Sequence, residues 1–173
     1  MNSKLIKNSI KEENALRAKN SYHASIKRGI KYLDSRQYAQ AIPEYKEALR
    51  IDPSSAVAHR NIGYAYERTG KPKLAMEHYD KAIILDDKYS TAYADRGRLY
   101  KRRGEKFFTK ALEDFTLAIL HDDKNIYAYY NRSSLFSEMG LEDAARKDEE
   151  SIKQLKSQGS KKLIEQNIEP NNS

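Results

Sequence analysis

Small and aromatic residues recur along this chain with a period of about 34 positions. Gly29, Gly63 and Gly97 are 34 residues apart, and Ser133 follows 36 residues later. An aromatic residue stands three positions after each of them, and the order alanine, aromatic, alanine follows at Ala41, Tyr45, Ala48; Ala75, Tyr79, Ala82; and Ala111, Phe115, Ala118. Apolar residues three or four positions apart are typical of one helix face. The long period predicts stacked helix-turn-helix units that bury a shared face.

The fourth unit departs from this pattern. Ala145 keeps the small position, but Glu149 replaces the aromatic residue and Ser133 replaces the glycine. A terminal repeat needs a polar outer face to stay soluble. We therefore predict that the fourth unit closes the array.

The spacing predicts eight helices, near 21–34, 38–51, 55–68, 72–85, 89–102, 107–120, 125–138 and 142–156, after a separate helix over 3–19. The apolar residues of this first helix, which include Ile6, Ile10 and Leu16, are expected to lie on the first repeat. Pro43 falls inside a predicted helix, so we expect a late start or a slight kink there. Gly159 is expected to break the chain before a short closing helix.

Two extra residues lie in the third unit, between Gly104 and Ala111. Insertions in repeat arrays are accommodated in turns. Phe107 and Phe108 stand in this insertion. They either lengthen the following helix or form an exposed apolar contact point.

These positions resemble the tetratricopeptide repeat (TPR) family over about residues 22–155. Pro53 after the first unit matches the family, and so do the glycines that follow the later first helices, Gly70, Gly104 and Gly140. The resemblance implies an all-α, right-handed α-solenoid of four repeats, 22–55, 56–89, 90–125 and 126–156. It also implies a basic N-terminal capping helix over 1–20, and a C-terminal capping helix with a disordered tail over 157–173.

In such a solenoid the first helix of each pair lines a concave groove. The resemblance implies that the groove binds a peptide segment of another protein. The residues expected there are long donors, amides and tyrosines: Lys27, Arg60, Asn61, Tyr64, Arg98, Arg102, Tyr127, Tyr130 and Asn131. They suit an extended or helical segment with some preference for acidic groups. The alternative is a solvated face of mixed charge.

One subclass of the family binds the C-terminal carboxylate of heat-shock chaperones with a Lys, Asn, Asn, Lys, Arg set. The aligned positions here are Ile26, Ile30, Asn61, Thr91 and Asp95. Only Asn61 matches, and Asp95 would repel a carboxylate. We therefore do not expect this partner.

The basic charge is concentrated at the start of the chain. The formal net charge is +7, and residues 1–36 hold nine Lys and Arg against three acids, while the rest hold 23 against 22. This arm is either a solvated capping helix or a contact for an acidic partner, a nucleic acid or an anionic membrane surface. A second basic stretch either stabilises a helix C-terminus or contacts phosphate or acidic peptide; it comprises Arg96, Arg98, Lys101, Arg102, Arg103 and Lys106.

Candidate catalytic chemistry is sparse. The chain contains no cysteine, and its four histidines are expected to lie apart, in different repeats, and show no ligand spacing such as HExxH. The acid pairs Asp86-Asp87 and Asp122-Asp123 recur at repeat junctions, where an acid can cap the next helix. We expect no catalysis, no cofactor and no metal.

The favoured interpretation is a non-enzymatic scaffold or adaptor that binds a protein segment. One alternative is a secretion-type or assembly chaperone for a client protein, because such chaperones resemble the chain in size. Another is an RNA-associated repeat protein, based on the basic arm and the 13 tyrosines, although nucleic acid is the less expected partner. No apolar run approaches the ~20 residues of a membrane span, and the start lacks a signal-peptide pattern. The expected location is therefore cytoplasmic.

Overall fold

A computed structural model of the chain describes the backbone of residues 2–168 and the side chains of residues 6–158. The α-helices of the described backbone are α1 (Asn2–Asp34), α2 (Tyr38–Ile51), α3 (Ala56–Arg68), α4 (Pro72–Leu85), α5 (Ser90–Arg102), α6 (Phe108–His121), α7 (Ile126–Glu138) and α8 (Glu142–Ile168). A 3₁₀ turn, Glu105–Phe107, precedes α6. The chain divides into two compact units after Asp87. The first unit contains α1–α4 and the second contains α5–α8.

Helices pack in the order in which they follow each other. In the first unit α1 packs on α2, α2 on α3, and α3 on α4; in the second, α5 packs on α6, α6 on α7, and α7 on α8. The observed α2 to α7 begin and end within one residue of the predicted bounds. The predicted succession of helix-turn-helix units is therefore confirmed.

The first helix is longer than predicted. One continuous helix, Asn2–Asp34, replaces the two helices expected over 3–19 and 21–34, because no glycine or proline interrupts the sequence between them. Side chains 6–20 are exposed throughout, and Ile6, Ile10 and Leu16 are 56%, 53% and 57% exposed. The prediction that these apolar residues lie on the first repeat is wrong.

The last helix also continues past its predicted end. Helix α8 runs through Gly159 to Ile168, so the predicted break at Gly159 is wrong. An internal glycine costs a helix only about 1 kcal/mol relative to alanine, and no proline follows within it. The side chains of residues 159–168 and the predicted disordered tail at 169–173 lie outside the described residues.

Prolines and a glycine define the turns of the first unit. Gly70 has a φ of +75°, the left-handed conformation that commonly ends a helix, and Pro72 opens α4 at its first position. Pro43 lies inside α2, which nevertheless begins at Tyr38. The expected late start is therefore not observed. Pro43 has no amide hydrogen, so α2 forms without the one hydrogen bond that this residue would donate one turn back.

The insertion of the third unit is built into the fold. Phe108 begins α6 and packs against a core that includes Phe115 and Leu135. Phe107 lies in the 3₁₀ turn, where its ring stacks on Tyr100 with centroids 6.0 Å apart. Both phenylalanines are half-buried. Phe108 therefore belongs to α6 and Phe107 to the 3₁₀ turn before it, and neither forms an exposed contact point.

The recurrent glycines exist because an aromatic ring lies directly over each of them. Tyr45, Tyr79 and Phe115 are fully buried. A Cβ at the glycine of the same repeat would fall 2.7 Å, 2.7 Å and 2.8 Å from these rings, at Gly29, Gly63 and Gly97 respectively. The fourth repeat has the exposed Glu149 in place of the ring, which explains why it accepts a serine there.

The junction acids have a different role from the one predicted. Asp122 follows α6 as its C-cap, and its Oδ1 accepts the backbone N–H of Lys124 at 3.0 Å. Asp52 makes the equivalent contact with Ser54 after α2. The next helices are capped instead by Ser55 and Asn125, whose side chains accept backbone N–H bonds. Asp52 and Asp122 therefore shape the turn after a helix, whereas an N-cap must directly precede one.

Candidate functional site

The predicted groove residues fall into two groups, one in each unit. Lys27, Arg60, Asn61 and Tyr64 belong to the first, and Arg98, Arg102, Tyr127, Tyr130 and Asn131 belong to the second. We name the two groups, with their neighbours described below, the first-unit surface and the second-unit surface.

Alternating arginine and tyrosine side chains form the centre of the first-unit surface. Arg60, Tyr64 and Arg68 lie one turn apart on α3. The Arg60 guanidinium carbon is 5.4 Å from the Tyr64 ring centroid, and Tyr64 meets Tyr38 of α2 edge-on with centroids 6.0 Å apart. Arg68 lies 5.1 Å over Tyr38. These stacks hold the long cations in fixed positions beside aromatic rings. Sequence reasoning missed Tyr38, because it belongs to the second helix of its pair, whereas the groove was predicted on the first helices.

The other two predicted residues of this surface differ in exposure. Lys27 is exposed on α1 and lines a shallow hollow of about 470 Å³ together with Ile30, Lys31 and Asp34. Asn61 is only 8% exposed. Its Oδ1 accepts a hydrogen bond from Arg60 Nη1 at 3.0 Å, so it orients the arginine that stacks on Tyr64.

Exposed tyrosines on α7 dominate the second-unit surface. Tyr127 and Tyr130 are 40% and 67% exposed. The Arg98 guanidinium lies 5.8 Å from the Tyr127 ring and 3.3 Å from the buried Asp95 carboxylate. Asn131 is nearly buried and donates to the Tyr127 backbone carbonyl at 2.7 Å. On this surface the exposed predicted groups are thus the two tyrosine rings and Arg102, which lies at the end of α5.

The second basic stretch is largely engaged within its own unit. Arg96 pairs with Asp114, and Lys101 Nζ lies 2.7 Å from Ser134 Oγ and 2.8 Å from Glu138 Oε1. Arg103 lies 3.9 Å from the Phe107 ring centroid. These contacts favour the structural interpretation of this stretch over a phosphate contact.

An ion pair recurs between the two helices of three repeats. Its arginine directly precedes the glycine or serine of the first helix, and its acid stands three residues after the first alanine of the second helix. The nitrogen–oxygen distances are 2.8 Å, 2.8 Å and 2.7 Å for Arg28–Glu44, Arg96–Asp114 and Arg132–Asp148. The last two pairs are bidentate and mostly buried. We call this contact the interhelical ion pair.

The second repeat replaces the interhelical ion pair with apolar and imidazole groups. Ile62 occupies the arginine position and is fully buried, and His78 occupies the acid position. His78 Nδ1 lies 3.1 Å from His59 Nδ1. The expectation that the histidines lie apart is wrong for these two. The signal that could have revealed the pair is that His78 occupies the acid position and His59 stands three residues before the arginine position on α3.

The imidazole pair, His59 and His78, favours the neutral state. Burial lowers the pKa of His78 to about 4, and His59, Lys81 and Lys46 add to the effect. Burial also lowers the pKa of His59, with Lys81 adding to the effect and a backbone hydrogen bond at Pro53 opposing it. Removal from water disfavours the imidazolium form, and neighbouring cations disfavour it further.

Two other kinds of site are absent from the residues that the structure describes. No cluster of three or more His, Asp or Glu side chains suited to a metal ion occurs among them. Within the same part of the chain, no helix is long and apolar enough to cross a membrane.

Paired helices with an aromatic residue closed over a glycine in three successive repeats define a class of all-α repeat proteins. The family is identified by sequence models: one described as TPR repeat matches residues 29–70, and one described as tetratricopeptide repeat matches residues 56–89. The chain therefore contains tetratricopeptide repeats within residues 29–89, and the predicted fold class, an all-α solenoid of such repeats, is confirmed.

Several known proteins are similar to parts of the chain. The type IV pilus assembly protein PilF of Pseudomonas aeruginosa is 36% identical over 81 residues, which are 46% of this chain and 32% of PilF. A solved structure of P. aeruginosa PilF matches with a TM-score of 0.72 and 25% identity, covering 80% of this chain and 62% of that one. The chain thus spans about a third of this curated relative.

Two further structures share the fold. A crystal structure of MamA has a TM-score of 0.68 and 26% identity, and the match covers 86% of each chain. The second TPR domain of human RPAP3, solved with the HSP70 peptide SGPTIEEVD, has a TM-score of 0.61 and 25% identity, covering 68% of this chain and 97% of that one. These relatives support a role in protein–protein interaction, and proteins of this fold are generally non-enzymatic scaffolds.

Proposed function

We propose that this chain is a non-enzymatic adaptor that binds a segment of another protein on the first-unit surface, the second-unit surface or both. The observation that carries the proposal is the set of ordered, accessible aromatic and guanidinium groups on first helices. Tyrosine and arginine are enriched among the residues that dominate binding energy at protein interfaces. Neither Tyr127 nor Tyr130 belongs to the buried core.

The two surfaces differ in the chemistry that they offer. On the first-unit surface Arg68 is exposed and stacks on Tyr38, while Lys27 and Lys31 are exposed on α1. On the second-unit surface Arg98 and Lys101 already contact the carboxylates of Asp95 and Glu138. The preference for acidic groups is therefore assigned to the first-unit surface, and an apolar or aromatic anchor to the second.

The test requires the partner itself. Cross-linking in native lysate followed by mass spectrometry identifies the bound segment, which is then synthesised and titrated by calorimetry. Truncation of an aromatic anchor removes buried contact area, so Tyr130→Ala is expected to weaken binding at least about tenfold. Arg68→Glu should weaken the binding of an acidic segment and make its association rate less dependent on salt.

Matched controls separate binding from folding. Ile84→Ala changes a side chain that is 81% exposed on a second helix, and it should leave both affinity and helix content unchanged. If neither Tyr130→Ala nor Arg68→Glu alters the affinity while circular dichroism stays constant, the partner uses another face and the assignment of these surfaces is wrong.

The peptide SGPTIEEVD, which the RPAP3 domain binds, provides a second test. Its terminal carboxylate would approach Asp95, which is 1% exposed and already contacts Arg98. We predict no binding of this peptide at concentrations that saturate the natural segment. Binding of similar strength would contradict the exclusion of a heat-shock chaperone partner.

A role as an assembly chaperone is the second candidate. It is supported by the relative PilF, which is named for pilus assembly. Under this alternative the partner is an aggregation-prone client. Co-expression should then keep the client soluble, and the Tyr130→Ala variant should lose that effect.

A further inference from the structure

The two rings of the imidazole pair share one hydrogen bond, which requires that at least one ring is neutral. His59 is 8% exposed on α3, and His78 of α4 faces it with 3.1 Å between the two Nδ1 atoms. A hydrogen bond at this distance needs one nitrogen as donor and the other as acceptor. If both rings were charged, two N–H donors would point at each other across the same gap. At this point of contact between α3 and α4, the hydrogen bond is therefore lost when both rings are protonated.

The surroundings of the pair also disfavour positive charge. Lys81 on α4 and Lys46 on α2 are the cations that act on it. From α3 the Tyr66 ring lies 5.6 Å from the His78 ring. A backbone hydrogen bond at Pro53 acts in the opposite sense, because it raises the pKa of His59. In the other three repeats an acid occupies the His78 position and pairs with an arginine three residues after the position of His59. In the second repeat, protonation of both rings would place two like charges against each other at this contact.

We propose that the His59–His78 contact is an acid-sensitive joint, which holds α3 against α4 at neutral pH and lets the two helices separate locally in acid. The geometry supplies the reason: His59 and His78 form a partly buried contact that needs a neutral ring, and His78 occupies the position of the acid that forms a permanent ion pair in the sibling repeats. Its effect is confined to the second helix pair, because only that repeat carries the substitution.

The direction of the pH dependence follows from proton linkage. An opened helix pair would expose both rings, whose pKa would return to the ordinary value of about 6.5. The closed pair has lowered pKa values, so the open state binds more protons in acid. The stability of the closed contact is fully present above about pH 6.5 and falls as the pH drops toward 4, the value reached by His78.

Opening would affect the binding surface as well. Arg60, Asn61 and Tyr64 follow His59 directly on α3, so a displaced α3 would disrupt the first-unit surface and release a bound segment. This consequence rests on the proposed function. The joint itself does not, since its opening is measured on the protein without a partner.

Hydrogen exchange of the full chain at pH 7.5 and pH 5.0, corrected for the intrinsic exchange rate, tests the proposal. We expect protection in α3 and α4 to fall about tenfold at pH 5.0, while α7 and α8 serve as the internal reference. The double variant His59→Gln/His78→Gln has no titratable ring at the contact, so protection in its α3 and α4 should be the same at both pH values. His23→Gln/His121→Gln changes the other two histidines and should retain it.

A second variant covers the case in which glutamines disturb the fold. Ile62→Arg/His78→Asp installs the interhelical ion pair of the third and fourth repeats, and it should also remove the pH effect on α3 and α4. The proposal is overturned if protection falls equally in both units, if α3 and α4 keep their protection at pH 5.0, or if the variants respond to pH as the parent does.

Discussion

Replacing Gly97 with alanine is expected to lower the free energy of unfolding of the second unit by about 2–3 kcal/mol. The added Cβ would lie 2.8 Å from Phe115 Cε1, closer than real Cβ contacts, and 3.0 Å from Asp114 Cβ, which is also tight. Phe115 is fully buried, so its ring cannot move without displacing its neighbours. Urea denaturation followed by circular dichroism measures the loss, and the thermal midpoint should fall with it.

The fourth repeat offers a matched control for this variant. Ser133 occupies the same place as Gly97 and already carries a Cβ, because Glu149 there is exposed and no ring covers it. Ser133→Ala is expected to change the free energy of unfolding by no more than about 0.5 kcal/mol. Equal losses of unfolding free energy in Gly97→Ala and Ser133→Ala would show that the aromatic ring is not the reason for glycine at this position.

A second substitution tests the cause directly. Phe115→Leu alone leaves a cavity and destabilises the protein, but in the Gly97→Ala background it makes room for the new methyl group. The double variant should therefore lose less stability than the two single variants together. Additive losses would mean that the two residues do not share a contact.

The repeat period predicted the helices well because each helix pair is a local structure. The order glycine, aromatic, alanine places the core on known faces, so α2 to α7 followed from spacing alone. The two ends were harder, since nothing about Gly159 or about residues near Asn20 says whether a neighbour is present to pack against. A helix continues where no residue breaks it, and α1 and α8 do so.

The candidate surfaces were only partly predictable for a different reason. Periodicity places Asn61 and Asn131 on first helices, but it cannot show that both are nearly buried. Nor does it reveal partners on another helix, such as Tyr38 beside Tyr64. The interhelical ion pairs and the imidazole pair join residues 16 to 19 positions apart. Such contacts appear only when equivalent positions of all four repeats are compared.

Removing one partner of a buried interhelical ion pair should be the second large effect. Asp114→Ala leaves the Arg96 guanidinium, whose side chain is only 20% exposed, without the carboxylate that accepts two of its hydrogen bonds. Breaking a buried pair in this way costs about 3–5 kcal/mol. Because Arg96 still reaches solvent, we expect a loss of about 2–3 kcal/mol in the free energy of unfolding, measured by urea denaturation.

The first repeat supplies the control, because the same contact is exposed there. The Arg28 side chain is 53% exposed and that of Glu44 is 22% exposed, so water can solvate either group when its partner is removed. Glu44→Ala should cost less than about 1 kcal/mol. The difference between the two variants measures burial, since both remove a carboxylate from the same position of the repeat.

The second repeat suggests how the loss at Asp114 can be reversed. It has Ile62 in the arginine position, fully buried and without any ion pair, so an apolar side chain is compatible with this place in the fold. Arg96→Ile/Asp114→Leu removes both charges together and should recover most of the stability that Asp114→Ala loses, because no unpaired guanidinium remains. If the double variant is as unstable as Asp114→Ala, the cost comes from lost packing around Asp114, and the isolated charge of Arg96 is not its cause.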